Sequence, residues 1–222
     1  MYSSIRRCLS SSSSSAWKNR HVRDKYTKLS HNNDLRARSY YKLDDILRQN
    51  KGLVRPGDFV IDLGAAPGGW SLCIADILYP NSNNNNSSNG SLLIGLDLLP
   101  IDAIYGAVLI QGDFTKETTR NEINTISGNR QANAILSDML QNVTGIHSTD
   151  HLRSIDLCFD VLHFAKSNLI SNGNVLCKFL RGSDDNELLK EARGMFEKVK
   201  IIKPAASRME SSEIYLLCMK KK

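Results

Sequence analysis

The stretch that most limits how this chain can fold is Phe59-Val60-Ile61-Asp62-Leu63-Gly64-Ala65-Ala66-Pro67-Gly68-Gly69-Trp70. Its apolar, β-branched run closes on an acid and a glycine. A Pro-Gly-Gly turn then opens into Ser71-Leu72-Cys73-Ile74-Ala75-Asp76-Ile77-Leu78, which has the pattern of a short apolar helix. Such a pattern is a buried parallel strand turning sharply into a helix. A side chain at Gly64, Gly68 or Gly69 would fill space at the turn, so the glycines are expected to leave the backbone open to a ligand. Open α/β sheets bind ligands at the carboxyl ends of their strands, which makes this turn the expected pocket floor.

The glycine spacing is not the G-x-G-x-x-G of dinucleotide-binding loops, and Pro67 removes a backbone N–H that could hold a phosphate. The loop therefore favours a nucleoside-type ligand without phosphate, S-adenosylmethionine, over NAD. Further strands are read at Leu92–Asp97, Ala107–Gln111, Asn133–Asp138, Asn174–Phe179, Val199–Ile202 and Glu213–Met219. Between them lie helices at Asp34–Lys51, at Thr115–Ile126 with Thr115 as cap, at Thr149–Ile170, and at Asn186–Phe196. This alternation predicts an α/β fold with a doubly wound sheet. Asp97, at the end of its strand, is placed to accept hydrogen bonds from ribose hydroxyls. Lys178 is an anomaly, because an amine at the end of a buried apolar strand costs stability unless it is paired. His147 and His151 stand four apart without a third ligand nearby, so they read as a surface pair and no metal is expected.

At 222 residues the chain suits one domain, and no apolar run approaches the roughly 20 residues needed to cross a bilayer, so membrane insertion is not expected. Five scattered cysteines without C-x-x-C spacing fit reduced thiols. Residues 1–56 carry thirteen Lys or Arg against four Asp or Glu, and the remainder carries sixteen against nineteen. A polyanionic partner is thus expected on the N-terminal segment, helped by clusters such as Lys198, Lys200, Lys203 and Lys220-Lys221-Lys222. Residues 1–20 are rich in Arg and Ser and hold no acid, the composition of a mitochondrial transit peptide, leaving 21–222 as a single domain. Residues 80–90 form a low-complexity, asparagine-rich insertion.

Asp62-Leu63-Gly64-Ala65-Ala66-Pro67-Gly68-Gly69-Trp70 resembles the S-adenosylmethionine motif of the FtsJ-like (RrmJ-like) ribose 2′-O-methyltransferases. The likeness runs from about Leu35 to Met219 and includes Arg36-Ala37-Arg38-Ser39-Tyr40-Tyr41-Lys42-Leu43, Gly95-Leu96-Asp97, Gln111-Gly112-Asp113-Phe114, Leu136-Ser137-Asp138-Met139, Val175-Leu176-Cys177-Lys178-Phe179 and Ser212-Glu213-Ile214-Tyr215. It implies a Rossmann-like class I methyltransferase fold whose seven-stranded, mostly parallel sheet has an antiparallel last strand. It also implies that Gly64, Pro67, Gly68, Gly69, Trp70, Asp97, Asp113, Phe114 and Asp138 bind S-adenosyl-L-methionine, with S-adenosyl-L-homocysteine as product. Asp113 would take the adenine amino group and Phe114 would cover the ring. The catalytic tetrad implied is Lys42, Asp138, Lys178 and Glu213, with Lys178 accepting the proton.

A lysine serves as base only if its pKa falls well below about 10.4; burial and a second cation act that way, whereas a nearby carboxylate opposes it. In that arrangement Lys42 is the depressing neighbour, Asp138 orients Lys178 and the donor, and Lys42 with Glu213 fixes the ribose. One departure from the family pattern stands out. Where relatives continue Ser-Asp-Met with Ala-Pro-Asn, this chain has Leu140-Gln141-Asn142, which bears on target positioning more than on donor binding.

The expected function is methylation of a ribose 2′-hydroxyl in RNA, by a monomer in the mitochondrial matrix, on uridine of large-subunit ribosomal RNA. The rivals are a cytoplasmic tRNA 2′-O-methyltransferase and a ribosome-assembly factor that binds RNA without needing catalysis.

Overall fold

Alternation along each strand decides which face a residue covers, and here it sorts the apolar residues into two separate cores. The computed structural model describes residues 34–80, 90–141, 143–182, 185–207 and 211–222. The leader assigned to 1–20, the basic arm at 21–33 and residues 81–89 of the insertion lie outside them. In chain order the elements are α1 (Asp34–Gln49), β1 (Phe59–Leu63), α2 (Gly69–Leu78), β2 (Leu92–Asp97), β3 (Ala107–Gln111), α3 (Glu117–Ser127) and β4 (Ala132–Ser137). They continue with α4 (His147–Asn168), β5 (Leu169–Leu180), α5 (Asp185–Met195), β6 (Phe196–Ile202) and β7 (Glu213–Lys221).

Seven strands pair in the order β3-β2-β1-β4-β5-β7-β6. The first five strands in sequence run parallel, and β7 is antiparallel to both of its neighbours, β5 and β6. Phe59, Ile61 and Leu63 of β1 pack with Ile135, Val175, Cys177, Phe179 and the helices α3, α4 and α5. Val60, Leu93, Ala134, Leu136, Leu176, Tyr215 and Leu217 face the opposite side, under α1 and α2. The sequence order reverses between β1 and β4, and ligands of such sheets collect at that switch point.

The same alternation carries the polar residues. Asp62 is two places past Val60, Asp97 four past Leu93, Asp138 two past Leu136 and Lys178 two past Leu176. All four therefore end on the α1/α2 face at the carboxyl edge. Because β7 runs backwards, its first residues start at that edge: Lys178 pairs with Tyr215 in register, and Leu180 with Glu213.

Several boundaries differ from the sequence reading. Leu169 and Ile170, read as helix, begin β5, and Gly173 lies within that strand. Thr115 does not cap α3; its N–H and hydroxyl both donate to Asp113 Oδ1, at 2.9 and 2.7 Å, and Lys116 is the N-cap. A short-range turn onto an aspartate outcompetes capping there. His151 is no surface residue: it is buried, and its Nδ1 donates to the Leu180 carbonyl at 2.7 Å.

The C-terminal lysines also depart from expectation. Lys221 Nζ donates to the carbonyls of Ala165, Lys166 and Leu169 at the end of α4, at 3.0, 2.6 and 2.7 Å. Lys222 Nζ reaches the Arg193 carbonyl at the end of α5, at 2.7 Å, and Lys220 pairs with Glu197 at 3.3 Å. Lys221 and Lys222 close helix C-termini, where a positive charge offsets the unsatisfied carbonyls and the helix dipole. They are structural in the first place, so the expected C-terminal polyanion cluster is not a free one. Lys221→Ala is expected to destabilise the protein by about 1–2 kcal/mol, read as a lower urea midpoint at unchanged slope.

Candidate active site

The loop after β1 is held closed on itself. Gly64 and Ala65 N–H groups both donate to the Leu96 carbonyl at 2.8 and 3.0 Å, Ala66 N–H donates to Asp97 Oδ2 at 2.9 Å, and Gly68 N–H donates to the Ala65 carbonyl at 2.6 Å. Pro67, after a cis peptide, has no N–H to offer. These loop donors are already engaged, which leaves little here to cradle a phosphate. Gly64 and Gly68 adopt φ of 75° and 112°, where only glycine is unstrained. The space at Gly64 serves a different purpose from the one expected. A Cβ there would lie 2.3 Å from Met139 Cγ, so the missing side chain admits Met139 and ties the loop after β4 to the loop after β1. Gly68 is the left-handed N-cap of α2, and Gly69 opens the helix.

Two ion pairs form at the carboxyl edge. Lys178 is 8% exposed; its Nζ lies 3.1 Å from Asp138 Oδ1 and also donates to the Asp138 carbonyl. Lys42, carried beside the Leu43–Ile46 stripe of α1, donates to Glu213 Oε2 at 2.7 Å. The four charged residues of the expected tetrad are thus brought together as two pairs. Burial alone would raise the Glu213 carboxyl. The hydrogen bond and charge of Lys42, with Lys178 and Ser211, outweigh it and hold the group below its ordinary value.

Asp97 is half-buried and engaged by backbone on both oxygens: Oδ2 takes Ala66 N–H, and Oδ1 takes Leu99 N–H at 2.9 Å. Each oxygen keeps a second lone pair. The Asp113 carboxyl is lowered by the Thr115 hydroxyl and N–H. Phe114 is buried edge-on to Phe164, ring centroids 5.8 Å apart, and packs in the core between the sheet and α4. Trp70 is buried under α1, its ring 5.7 Å from that of Tyr215.

Two residues escaped the sequence reading. Tyr215 donates its hydroxyl to Asp138 Oδ1 at 3.0 Å, the oxygen that Lys178 also faces. Burial, then the charges of Asp138 and Glu213, push the Tyr215 hydroxyl well above its ordinary value, so it stays a donor. Its place two residues after Glu213, on the same face of one strand, was the available signal. Asp62 is fully buried: Oδ2 accepts from Ser71 Oγ at 2.6 Å, while Oδ1 has no hydrogen-bond partner among the described residues. Burial pushes its carboxyl up to about 7, against the pull of Ser71, and the charges of Asp138 and Asp97 add to the rise. Among the described residues, no group of three or more His, Cys, Asp or Glu could hold a metal, and no helix is long and apolar enough to cross a membrane.

A doubly wound sheet with an antiparallel last strand, and paired lysines and acids at its carboxyl edge beside a glycine-rich turn, defines a Rossmann-like methyltransferase. The chain matches the FtsJ-like methyltransferase family over residues 35–221. It is 40% identical over 207 residues to the ribosomal RNA large subunit methyltransferase E of Hahella chejuensis, covering 93% of this chain and 96% of that one. With the enzyme of the same name from Variovorax paradoxus the identity is 38% over 204 residues, covering 92% and 91%. A Plasmodium falciparum crystal structure assigned to a ribosomal RNA methyltransferase aligns with a TM-score of 0.72 at 28% identity, over 84% of this chain and 98% of the other. This protein belongs to the FtsJ-like methyltransferase family and is a methyltransferase.

Proposed function

We propose that the protein methylates a ribose 2′-hydroxyl in RNA with S-adenosylmethionine as donor, and that its target is a uridine of mitochondrial large-subunit ribosomal RNA. The observation that carries the chemistry is the meeting of Lys178–Asp138 and Lys42–Glu213 on one edge of the sheet. The relatives named above act, by name, on large-subunit ribosomal RNA, and the acid-free start of the chain supports import.

The residues present fit an adenosyl sulfonium. Asp97 and Asp113 supply acceptors for hydroxyl and amino donors, the acidic edge suits a cation, and the orphaned Asp62 Oδ1 is a buried acceptor without a donor. When bound, the donor supplies an electrophilic methyl group. Asp138 fixes Lys178 through its carboxylate and carbonyl, Tyr215 fixes Asp138, and Lys178 takes the proton that the hydroxyl loses. Lys42 and Glu213 hold the ribose in place, and much of the acceleration comes from that positioning. The protein acts as a monomer.

A ribose-methylation map of all RNAs with and without the gene tests the reading. Loss of one mark in mitochondrial large-subunit RNA is the expected result; loss of a cytoplasmic tRNA mark instead would reassign the substrate. Residues 1–20 fused to a fluorescent protein should enter mitochondria, and a purely cytosolic signal would remove that location.

A further inference from the structure

Three carboxylates gather where β1, β2 and β4 end, and they are not equally supported. Asp138 has Lys178 at 3.1 Å and the Tyr215 hydroxyl at 3.0 Å. Asp97 has two backbone N–H groups. Among the described residues Asp62 has only Ser71, and its second oxygen is buried without a hydrogen-bond partner. Among the described residues no cation is in contact with it. From β2 comes Asp97, from the end of β4 comes Asp138, itself paired with Lys178, and from α2 come Ser71 and Cys73. The Cys73 thiol is itself pushed up by burial, so it brings no countercharge. Gly95, paired in register with Asp62, lets this corner close tightly around it: a Cβ there would lie 2.8 Å from Leu109 Cδ2 and 3.0 Å from Ser71 Oγ. A carboxylate in such a place is stable only when it carries a proton or when a cation stands nearby.

We propose that Asp62 is a proton-linked element of the donor pocket, protonated while no cation is bound and releasing its proton to solvent when the positively charged donor enters. The inference rests on the S-adenosylmethionine reading above and adds to it a reason for the buried acid. Burial raises the carboxyl to about 7, and the neighbouring Asp138 and Asp97 add to the rise. The donor carries a sulfonium charge that its product lacks, so the two ligands differ in what they draw from Asp62. Donor and product affinities should then diverge as pH changes, with acid conditions weakening the donor selectively.

Isothermal titration of the full chain in buffers of different ionisation enthalpy, at pH 7, reads the protons released. For S-adenosylmethionine we expect about half a proton per site, with S-adenosylhomocysteine releasing far less. Below pH 7 the donor Kd should rise up to about tenfold per unit. Asp62→Asn should abolish the release and flatten this dependence. Ser71→Ala, which removes the hydroxyl donor, should shift the release to higher pH; it serves as the readout if the asparagine variant does not fold. Equal release by wild type and Asp62→Asn, equal release with donor and product, or an unshifted profile in Ser71→Ala would overturn the proposal. Absence of binding by either ligand would instead overturn the donor assignment itself.

Discussion

Lys178→Met is expected to lower kcat by about 10³-fold, with a much smaller change in the RNA KM and with the fold intact. The size follows from removal of the group proposed to take the hydroxyl proton, while the pocket and the proposed positioning pair Lys42–Glu213 remain. Lys178→Arg is the discriminating companion, because a guanidinium keeps the charge and the contact with Asp138 yet does not give up its proton in proteins. If arginine restored most of the rate, the role of Lys178 would be electrostatic and the base assignment would fail. Single-turnover assays on a methyl-free transcript or precursor particle make the comparison.

Asp62→Asn should make the protein without donor more stable at pH 8, and not at pH 4. The sign follows from linkage. A folded-state value near 7, above the ordinary 3.8, means that the contribution of Asp62 is fully present below that ordinary value and is lost as pH rises through 7. Carried through, ionisation costs the folded state on the order of 4 kcal/mol at pH 8. Asparagine has nearly the same shape without that cost. Urea unfolding at the two pH values measures it, and a stability difference between variant and wild type that did not change with pH would contradict the assignment of a buried, isolated acid. Such a residue is destabilising for the resting protein, which fits a site shaped for binding rather than for folding.

Much of this centre was legible in the chain because strand alternation is strict. Asp138 and Lys178 each fall two residues past an apolar partner of the same face, at the end of a run that otherwise reads as core. An acid and an amine in those places can only be functional or paired, and they proved paired with each other. Lys42 was harder: on α1 it borders an apolar stripe, where a lysine with its head in water looks the same. Its pairing with Glu213 depends on β7 being inserted next to β5, a matter of sheet order that no local pattern reveals. Tyr215 reads as an ordinary buried strand aromatic until the hydroxyl is seen on Asp138. For Lys221 and Lys222 the partners are helix ends dozens of residues away, so composition pointed to a solvent-facing cluster. Gly64 was read as room for a ligand, and only the packing of Met139 shows what fills it.

The reversed final strand has a consequence for the order in which the enzyme comes into being. Glu213 and Tyr215 leave the ribosome after the other six strands, yet they sit in β7 between β5 and β6, with Tyr215 directly across from Lys178 and Glu213 across from Leu180. A partly emerged chain can thus assemble its donor loop and most of its sheet and still be chemically silent. With the proposed tetrad, activity requires the tail to be threaded into the gap left for it.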